Sequence, residues 1–327
     1  MMRTAKTDCP HEQTIGWGKD RYGNPRRKCK ACGATRGIIP ARPLGRMRLS
    51  LDKATEVLKQ LTEGCSIRAT ERITGVHRDT VCKVLRATGA KCEALLSRLV
   101  RDVEVKDVQA DEVWCFVGMK EKTKTRLQNF DPALGDAYTF VGIERSSKVI
   151  LAWHLGRRTY EDTSAFIGKL ARATRGAQNG SEKEETWHLS TDAWKAYPGA
   201  IDWHLGGRVD YGQVIKTYGG SGTDGERRYS PPQIIRTEKI AVSGRPDAWR
   251  VCTSHIERQN LHVRMQMRRF TRLTNGFSRK RENLRAALAL HFAAYNFTWM
   301  HSTIRMTPAM KAGIARKPWT VRDLLLA

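Results

Sequence analysis

The order of strand-like and helix-like segments in the middle of this 327-residue chain most constrains its fold. Strand-like runs at Val108–Val117 and Tyr138–Glu144 are followed by a third at Val149–Leu155, and polar turn-forming residues bound them. An amphipathic helix then opens at Thr159, and Trp187–Thr191 forms the next strand. This order predicts a mixed α/β domain with helices packed over one sheet.

The segments around this core follow other patterns. Thr159 and Asp162, at the start of the amphipathic helix, have the spacing of a capping box. The stretch from about Gly206 to Val251 is rich in Gly, Pro and charged residues, which favours an insertion or a long loop. A long helical region from His255 to about Met300 is expected to close the core.

Charge indicates the class of partner. The chain has 58 Lys and Arg against 33 Asp and Glu, a net charge of +25, and a pI of about 10.1. Such an excess favours a polyanion, most simply nucleic acid, because neutralised phosphates release counterions. A basic protein with only a solvated surface is the alternative.

The same composition predicts where the protein works. No run approaches the roughly 20 apolar residues of a membrane helix, and the N-terminus lacks the apolar stretch of a signal peptide. We therefore expect a cytoplasmic, nucleoid-associated protein without a membrane partner. In that compartment the eight cysteines are thiols or metal ligands rather than disulfides.

Three domains are predicted. Residues 1–45 form a loop-rich basic module, since residues 1–50 hold 12 Lys and Arg against 3 Asp and Glu. Residues 46–100 change to a helical period that fits three short helices. Residues 101–327 form the α/β domain, with the insertion at about 206–251.

The first module carries a candidate zinc site. Cys29 and Cys32 form a CxxC half-site, in which two thiolates on a tight turn can share one tetrahedral ion. Glu12 stands where a second such pair would place its second cysteine. Cys9 together with His11 or Glu12 could therefore complete the ligand set, and a degenerate ribbon without metal is the alternative.

The helical domain carries a candidate helix-turn-helix. Gly75 marks the turn between two helices, and Val81, Val84 and Leu85 would lie on the inner side of the second. In that arrangement the start of the second helix enters the major groove of DNA. Residues predicted to contact DNA there are His77, Arg78, Thr80 and Lys83.

Three acids stand where a metal-dependent phosphodiester chemistry could use them. Asp111 lies inside the otherwise apolar strand Val108–Val117. Asp192 follows the strand Trp187–Thr191, and Glu257 lies at the start of the last helical region. Converging carboxylates can hold two Mg²⁺ or Mn²⁺ ions. Taken singly, each acid is better explained by a structural role, since most Asp residues at strand ends are caps and most Glu residues at helix starts complement the helix dipole. Glu112 competes with Asp111, because neighbours on a strand point to opposite faces.

The motifs around these acids resemble those of the DDE transposases of the insertion-sequence-one family. The matching segments are Asp-Glu-x-Trp at 111–114, Thr-Asp-x-Trp at 191–194, His-Ile-Glu-Arg-x-Asn-Leu at 255–261, and the cysteine and helix-turn-helix segments before them. The similarity spans nearly the whole chain in the same order. It departs from the family at Glu12 and in the unrecognised segment between Asp192 and Glu257.

The resemblance implies a fold and an activity. It implies a ribonuclease-H-like catalytic core with Asp111, Asp192 and Glu257 as its acidic triad, preceded by a zinc-ribbon-like module and a helix-turn-helix domain. It implies a DNA transposase that binds double-stranded element ends as a homo-oligomer and uses two Mg²⁺ or Mn²⁺ ions to cut and join strands. Basic residues after the triad glutamate would hold the DNA backbone, among them Arg258, Arg264, Arg268, Arg269 and Arg272.

Two other functions fit the same features. A non-catalytic DNA-binding regulator would bind DNA regardless of Asp192. A metal-dependent nuclease would cleave DNA without joining strands.

Overall fold

The computed structural model describes residues 9–19, 25–37, 43–45, 47–178, 185–219, 234–271 and 274–327. The chain divides into two compact units, Met1–Leu49 and Ser50–Ala327. Each unit is built on a sheet of its own. No helix among the described residues is long and apolar enough to cross a membrane.

The first unit is a small antiparallel sheet. Its strands lie in the order β1 (Thr14–Lys19), β2 (Pro25–Cys29) and β3 (Thr35–Gly37). After β2 the chain turns tightly, and the N–H of Gly33 donates to the carbonyl of Cys29 at 3.0 Å. Gly33 has a φ of 72°, which glycine adopts without strain. This turn keeps Cys29 and Cys32 close together.

Three helices begin the second unit: α1 (Leu51–Thr62), α2 (Ile67–Thr74) and α3 (Arg78–Leu99). The side chains of Ser50 and Ser66 cap the first two, because each accepts a backbone N–H three residues on, at 3.2 and 3.1 Å. Gly75 ends α2 with a φ of 69°, which allows the turn into α3. We predicted three short helices, but α3 has 22 residues, because its buried face continues to Leu95 and Leu96.

The main sheet of the second unit has six strands: β5 (Asp107–Val117), β6 (Gly135–Glu144), β7 (Ile150–Gly156), β9 (Trp187–Asp192), β10 (Val209–Tyr218) and β11 (Ile234–Ser243). A separate parallel pair consists of β4 (Val103–Glu104) and β8 (Thr174–Arg175). In space the main sheet runs β11-β10-β9-β5-β6-β7. β5, β6 and β7 are antiparallel neighbours, β9 and β10 run parallel to β5, and β11 is antiparallel to β10.

Helices cover both faces of this sheet. The remaining helices of this unit are α4 (Glu121–Arg126), α5 (Tyr160–Ala173), α6 (Tyr197–Leu205), α7 (Ser254–Gln266), α8 (Arg281–Phe297), α9 (Pro308–Lys311) and α10 (Val321–Leu326), of which α9 and α10 pack on other helices. Phe166 of α5 stacks on Phe140 of β6, with ring centroids 5.6 Å apart. Phe292 of α8 lies 5.8 Å from Trp153 of β7, which pairs with Val141. Since Phe140 and Val141 are neighbours on one strand, these helices lie on opposite faces. The predicted mixed α/β class is confirmed.

The helical segment packs tightly on this domain, where α3 crosses α8. A Cβ atom at Gly89 would lie 2.6 Å from both the Cα and the carbonyl oxygen of Ala286, so only glycine fits. Glycine inside a helix costs roughly 1 kcal/mol relative to alanine, which the close packing offsets. Arg285 of α8 also pairs with Glu93 of α3 at 2.7 Å.

The interpretation of residues 206–251 as a loop is wrong for the residues that the structure describes. β10 and β11 lie there and extend the sheet by two strands. Val209, Tyr211 and Val214 of β10 are buried, but Gly and charged residues around them obscured the pattern. β11 is exposed along almost its whole length, so it has no apolar alternation to detect.

Two further expectations need correction. The helical region that we predicted from His255 to about Met300 is broken, because α7 ends at Gln266 and α8 begins at Arg281, with a 3-10 helix at Arg268–Phe270. Thr159 caps α5 as predicted. The carboxylate of Asp162 does not complete a capping box, because it accepts the N–H of Arg157 at 2.7 Å and contacts His154 at 2.6 Å.

Candidate functional site

A gap between β5 and β9 gathers three acids. The two strands pair from Asp107 to Ala110 of β5, and the pairing stops there. Asp111 and Glu112 follow on β5, and Asp192 is the last residue of β9. Their carboxylates each offer an oxygen within 4.8 Å of the others. Asp111 and Glu112 reach Asp192 from opposite faces of the sheet, because they are neighbours on one strand.

These acids are in an environment that opposes their negative charge. Burial, together with the neighbouring Asp192 carboxylate, raises the pKa of Asp111 to about 7 and that of Glu112 to about 8. Burial also raises the pKa of Asp192. The Glu112 side chain is 3% exposed, and its Oε1 has no hydrogen-bond partner among the described residues. The group therefore has more negative charge and more lone pairs than its protein neighbours satisfy.

One arginine bridges two of the acids. The guanidinium of Arg158, in the loop after β7, lies 3.4 Å from Glu112 and 3.3 Å from Asp192. It also stacks 4.4 Å from the ring centroid of Trp194. The indole N–H of Trp194 donates to Thr163 of α5 at 3.1 Å. Trp194 therefore holds Arg158 against the acids and is itself fixed by α5.

Glu257 lies near this group but outside it. It stands in the first turn of α7, where its carboxylate pairs with Lys216 of β10 and accepts the hydroxyl of Thr253 at 2.5 Å. Its charge, though a smaller contribution than burial and Asp192, helps to raise the pKa of Asp111. The close group thus contains Glu112, whereas the resemblance implied Glu257 as the third acid.

Two amide side chains fix α7 against β5. The Gln109 side chain accepts the backbone N–H groups of His255 and Ile256 at 2.9 and 3.1 Å, which satisfies the start of α7. One turn after Glu257, Asn260 donates to the Asp111 carboxylate at 2.8 Å. Sequence reasoning missed both residues. The spacing of Gln109 and Asp111, two apart on one strand, would have placed them on the same face.

The predicted zinc ligands come together in the first unit. Cys9, His11, Cys29 and Cys32 offer ligand atoms within 4.8 Å of one another, and Glu12 is not among them. The Sγ atoms of Cys9 and Cys29 are 3.7 Å apart, and Cys32 Sγ lies 3.3 Å from His11 Nδ1. Zn–S bonds of about 2.3 Å in a tetrahedron give S–S edges of roughly 3.8 Å, so the separation fits zinc.

The environment of Cys29 also favours a thiolate. Hydrogen bonding from the backbone of Cys32, and then from the His11 side chain, lowers the pKa of Cys29 to about 6. A thiolate is the form that binds metal. Of the two candidates for the fourth ligand, His11 is the one that this geometry favours.

The residues predicted for DNA contact lie around the start of α3. His77 is the N-cap of this helix, and its Nδ1 accepts the N–H of Asp79 at 3.3 Å. Arg78 and Lys83 are exposed, and Thr80 is half-buried. Val81, Val84 and Leu85 are buried on the opposite side, as the helical period predicts.

The predicted basic residues after Glu257 do not share one helix. Arg258 is exposed on α7 and Arg264 is half-buried on it, whereas Arg268 is exposed on the 3-10 helix. Arg269 is half-buried and donates to Ser278 at 2.7 Å. Arg272 lies outside the described residues.

The sequence and the structure were compared with known proteins. No family model matches the sequence, and no curated protein matches it. Among solved structures, the chain is similar to one described as a cryo-EM structure of the piggyBac transposase synaptic complex with hairpin DNA. The identity is 10% and the TM-score 0.44, over 89% of this chain and 72% of that chain. Similarity at this level assigns neither a fold family nor a function.

Proposed function

We propose that this protein is a DNA transposase that cuts and joins DNA strands at a metal-dependent carboxylate site in a ribonuclease-H-like core. The observation that carries the proposal is the convergence of Asp111, Glu112 and Asp192 where β5 and β9 part, with Glu257 beside them on α7. The strand order supports that core: β6 and β7 form an antiparallel meander on one side of β5, and the parallel strands β9 and β10, followed by β11, lie on the other.

The acids fit a hard divalent cation. All the candidate ligand atoms are carboxylate oxygens, which Mg²⁺ and Mn²⁺ prefer. The three carboxylates lie within 4.8 Å of one another, and the raised pKa values of Asp111 and Glu112 show that the groups around them only partly balance their negative charge. Asp111, Asp192 and Glu257 would hold the metal, and Glu112 lies in the same group as the first two. Bound ions would supply the charge that activates the attacking oxygen and stabilises the leaving oxygen.

The other side chains prepare this site. Asn260 fixes the orientation of the Asp111 carboxylate, and Gln109 fixes the helix that carries Glu257. Arg158 and Lys216 now balance part of the negative charge of the acids. Both are long side chains, so each can turn from a carboxylate toward a phosphate of bound DNA.

Recognition of the element ends is assigned to the basic parts of the chain. Arg78 and Lys83 at the start of α3 would enter the major groove, with His77 and Thr80 beside them. The first unit, held by zinc at its cysteines, would add phosphate contacts. Transposition joins paired ends, so we propose that the protein acts as a homo-oligomer on double-stranded DNA.

The test is a cleavage assay. Labelled element-end DNA is incubated with the wild-type protein, with Asp192→Asn and with Asp202→Asn, an exposed acid on α6, in Mg²⁺ or in EDTA. Nicking and joining that require Mg²⁺ and are lost only in Asp192→Asn are expected. Binding without any chemistry would favour a regulator, and cleavage without joining would favour a nuclease.

A further inference from the structure

A basic cleft lies in the second unit, between the helix-turn-helix and the segment that joins α7 to α8. Its volume is about 840 Å³. One wall comes from the end of α1 and the first turns of α2 and α3, and the other from residues 267–269 and 275–291. Five arginines line it, and no Asp or Glu is among the described lining residues: Arg68, Arg78, Arg268, Arg269 and Arg279.

These arginines are not neutralised by the protein. Within the part of the chain that the structure describes, none of the five guanidinium groups makes an ion pair with a carboxylate. Elsewhere on the same unit, Arg145, Arg157, Arg158 and Arg285 all have acidic partners. The cleft is therefore a local concentration of unbalanced positive charge.

Arg269 is the arginine of the cleft that is most closely surrounded by protein. The residue is half-buried in the wall of the cleft, with its guanidinium closely surrounded by protein, and within the described residues it makes one hydrogen bond, to the hydroxyl of Ser278 at 2.7 Å. Ser278 is itself 2% exposed. A guanidinium has five N–H donors, and a buried charge without a counter-charge is destabilising. An anion in the cleft that Arg269 lines would satisfy the remaining donors.

We propose that this cleft binds the phosphodiester backbone of a DNA strand, with one phosphate held by Arg269. The choice of DNA rests on the proposed function, and the anion site itself does not. Arg68 and Arg78 lie in the first turns of α2 and α3, so a strand bound at the helix-turn-helix continues into the cleft. A space of this size falls in the range of ligand pockets, roughly 300–1,000 Å³, and accommodates a few nucleotides of one strand rather than a duplex.

Thermal unfolding tests the anion site without metal or cleavage. The full chain is unfolded in EDTA, in sodium chloride or in sodium phosphate at equal ionic strength. Phosphate should raise the Tm of the wild-type protein by about 2 °C or more. Arg269→Met should have a higher Tm than wild type in chloride, because a buried charge is removed, and should lose the phosphate effect. Arg316→Gln, on an exposed arginine outside the cleft, should behave as wild type.

Binding of a fluorescent oligothymidine tests the strand assignment. Arg269→Met should bind it about tenfold more weakly, as expected for loss of a charge-assisted contact, and Arg316→Gln should not. If Arg269→Met does not fold, the double variant Arg68→Gln, Arg279→Gln on the two walls gives the same comparison.

Three results would overturn the proposal. An equal phosphate effect in Arg269→Met and wild type, or none in wild type, would remove the anion site. Unchanged oligothymidine affinity in the variants would remove the strand path. Competition by polyglutamate as strong as by oligothymidine at equal charge would favour an acidic protein partner. Since no assay contains Mg²⁺, a failure of strand cleavage would leave all three readouts intact.

Discussion

The amide of Asn260 on α7 donates to the carboxylate of Asp111 on β5 at 2.8 Å. This contact joins the helix that carries Glu257 to the strand that carries two of the acids. Asp111 Oδ2 accepts this bond, and its Oδ1 accepts the backbone N–H of Glu112 at 2.8 Å, so both oxygens are held in one orientation beside Asp192. Asn260 is buried, so water does not replace the contact easily.

Asn260→Ala should therefore weaken metal binding while the fold is retained. Residues that orient metal ligands typically contribute 10- to 100-fold in affinity, and we expect about tenfold for Mn²⁺. Calorimetric titration of the full chain with Mn²⁺ measures this. Gln128→Ala, on an exposed turn, is the matched control. Equal affinities in all three proteins would show that Asn260 has no part in the site.

Glu112→Gln should stabilise the metal-free protein in alkaline buffer. The pKa of Glu112 is raised to about 8 in the folded state, so the folded state binds this proton more tightly than the unfolded state. The stabilisation is complete below the unfolded pKa and is lost as the pH rises through the folded pKa. In EDTA the variant should melt above wild type at about pH 8 and approach it at about pH 5.

The control variant is Asp202→Asn, whose Tm should equal that of wild type at both pH values. A Tm of Glu112→Gln that never exceeds wild type would contradict the electrostatic account of the acid group.

A buried histidine cluster should make the protein sensitive to acid. His291 of α8 and His262 of α7 have ring centroids 5.4 Å apart, and burial lowers their pKa values to about 3 and about 4. Their stabilising neutral form is present above the unfolded pKa and is lost as the pH falls toward the folded pKa values. Tyr295 and Trp299 pack against His262, and Arg258 and His301 add positive charge.

His291→Leu should therefore flatten the decline of Tm between about pH 6.5 and pH 4. The change in Tm between about pH 6.5 and pH 4 is measured for the variant and for wild type, and the two changes are compared. A loss of stability that is the same at both pH values does not affect this comparison. An unaltered slope would place the acid sensitivity elsewhere.

The first unit should contain bound zinc. Protein purified without chelator should carry about one Zn²⁺ per chain, as four tetrahedral ligands predict. Cys32→Ser should lose it, because one thiolate is removed, whereas Cys65→Ser on the helical segment should keep it. Colorimetric zinc release after dialysis distinguishes the two, and retention of zinc by Cys32→Ser would count against the assignment.

Lys83→Ala should weaken DNA binding and its dependence on salt. Loss of one phosphate contact reduces the slope of log K against log salt by about 1. Fluorescence anisotropy over a range of salt concentrations measures the slope. Lys122→Ala, on an exposed position of α4, serves as the control. Identical slopes for wild type and Lys83→Ala would move the DNA surface away from α3.

Alternating or helical burial made part of this structure predictable. β5, β6 and β7 and the cap at Thr159 follow local rules, because each has one sequence pattern and a polar boundary. β11 could not be found, because nearly all of its residues are exposed and its partner strand alone defines it.

The sequence identified most of the acids of the candidate site, but it did not show which of them lie close together. Asp111 and Asp192 stand out because each is an acid at an apolar strand. The inclusion of Glu112 depends on where β5 and β9 stop pairing, which is a tertiary property. The displacement of Glu257 toward Lys216 likewise depends on β10, which sequence reasoning took for a loop.

The crossing at Gly89 and Ala286 leaves no room for the two helices to slide. α3, with Arg78 and Lys83 at its start, is thereby set at a constant distance from the sheet that carries the acids. If α3 contacts DNA as proposed, the cut site would lie at a fixed distance from the bases that this helix contacts. A larger side chain at position 89 would force α3 and α8 apart and change that distance.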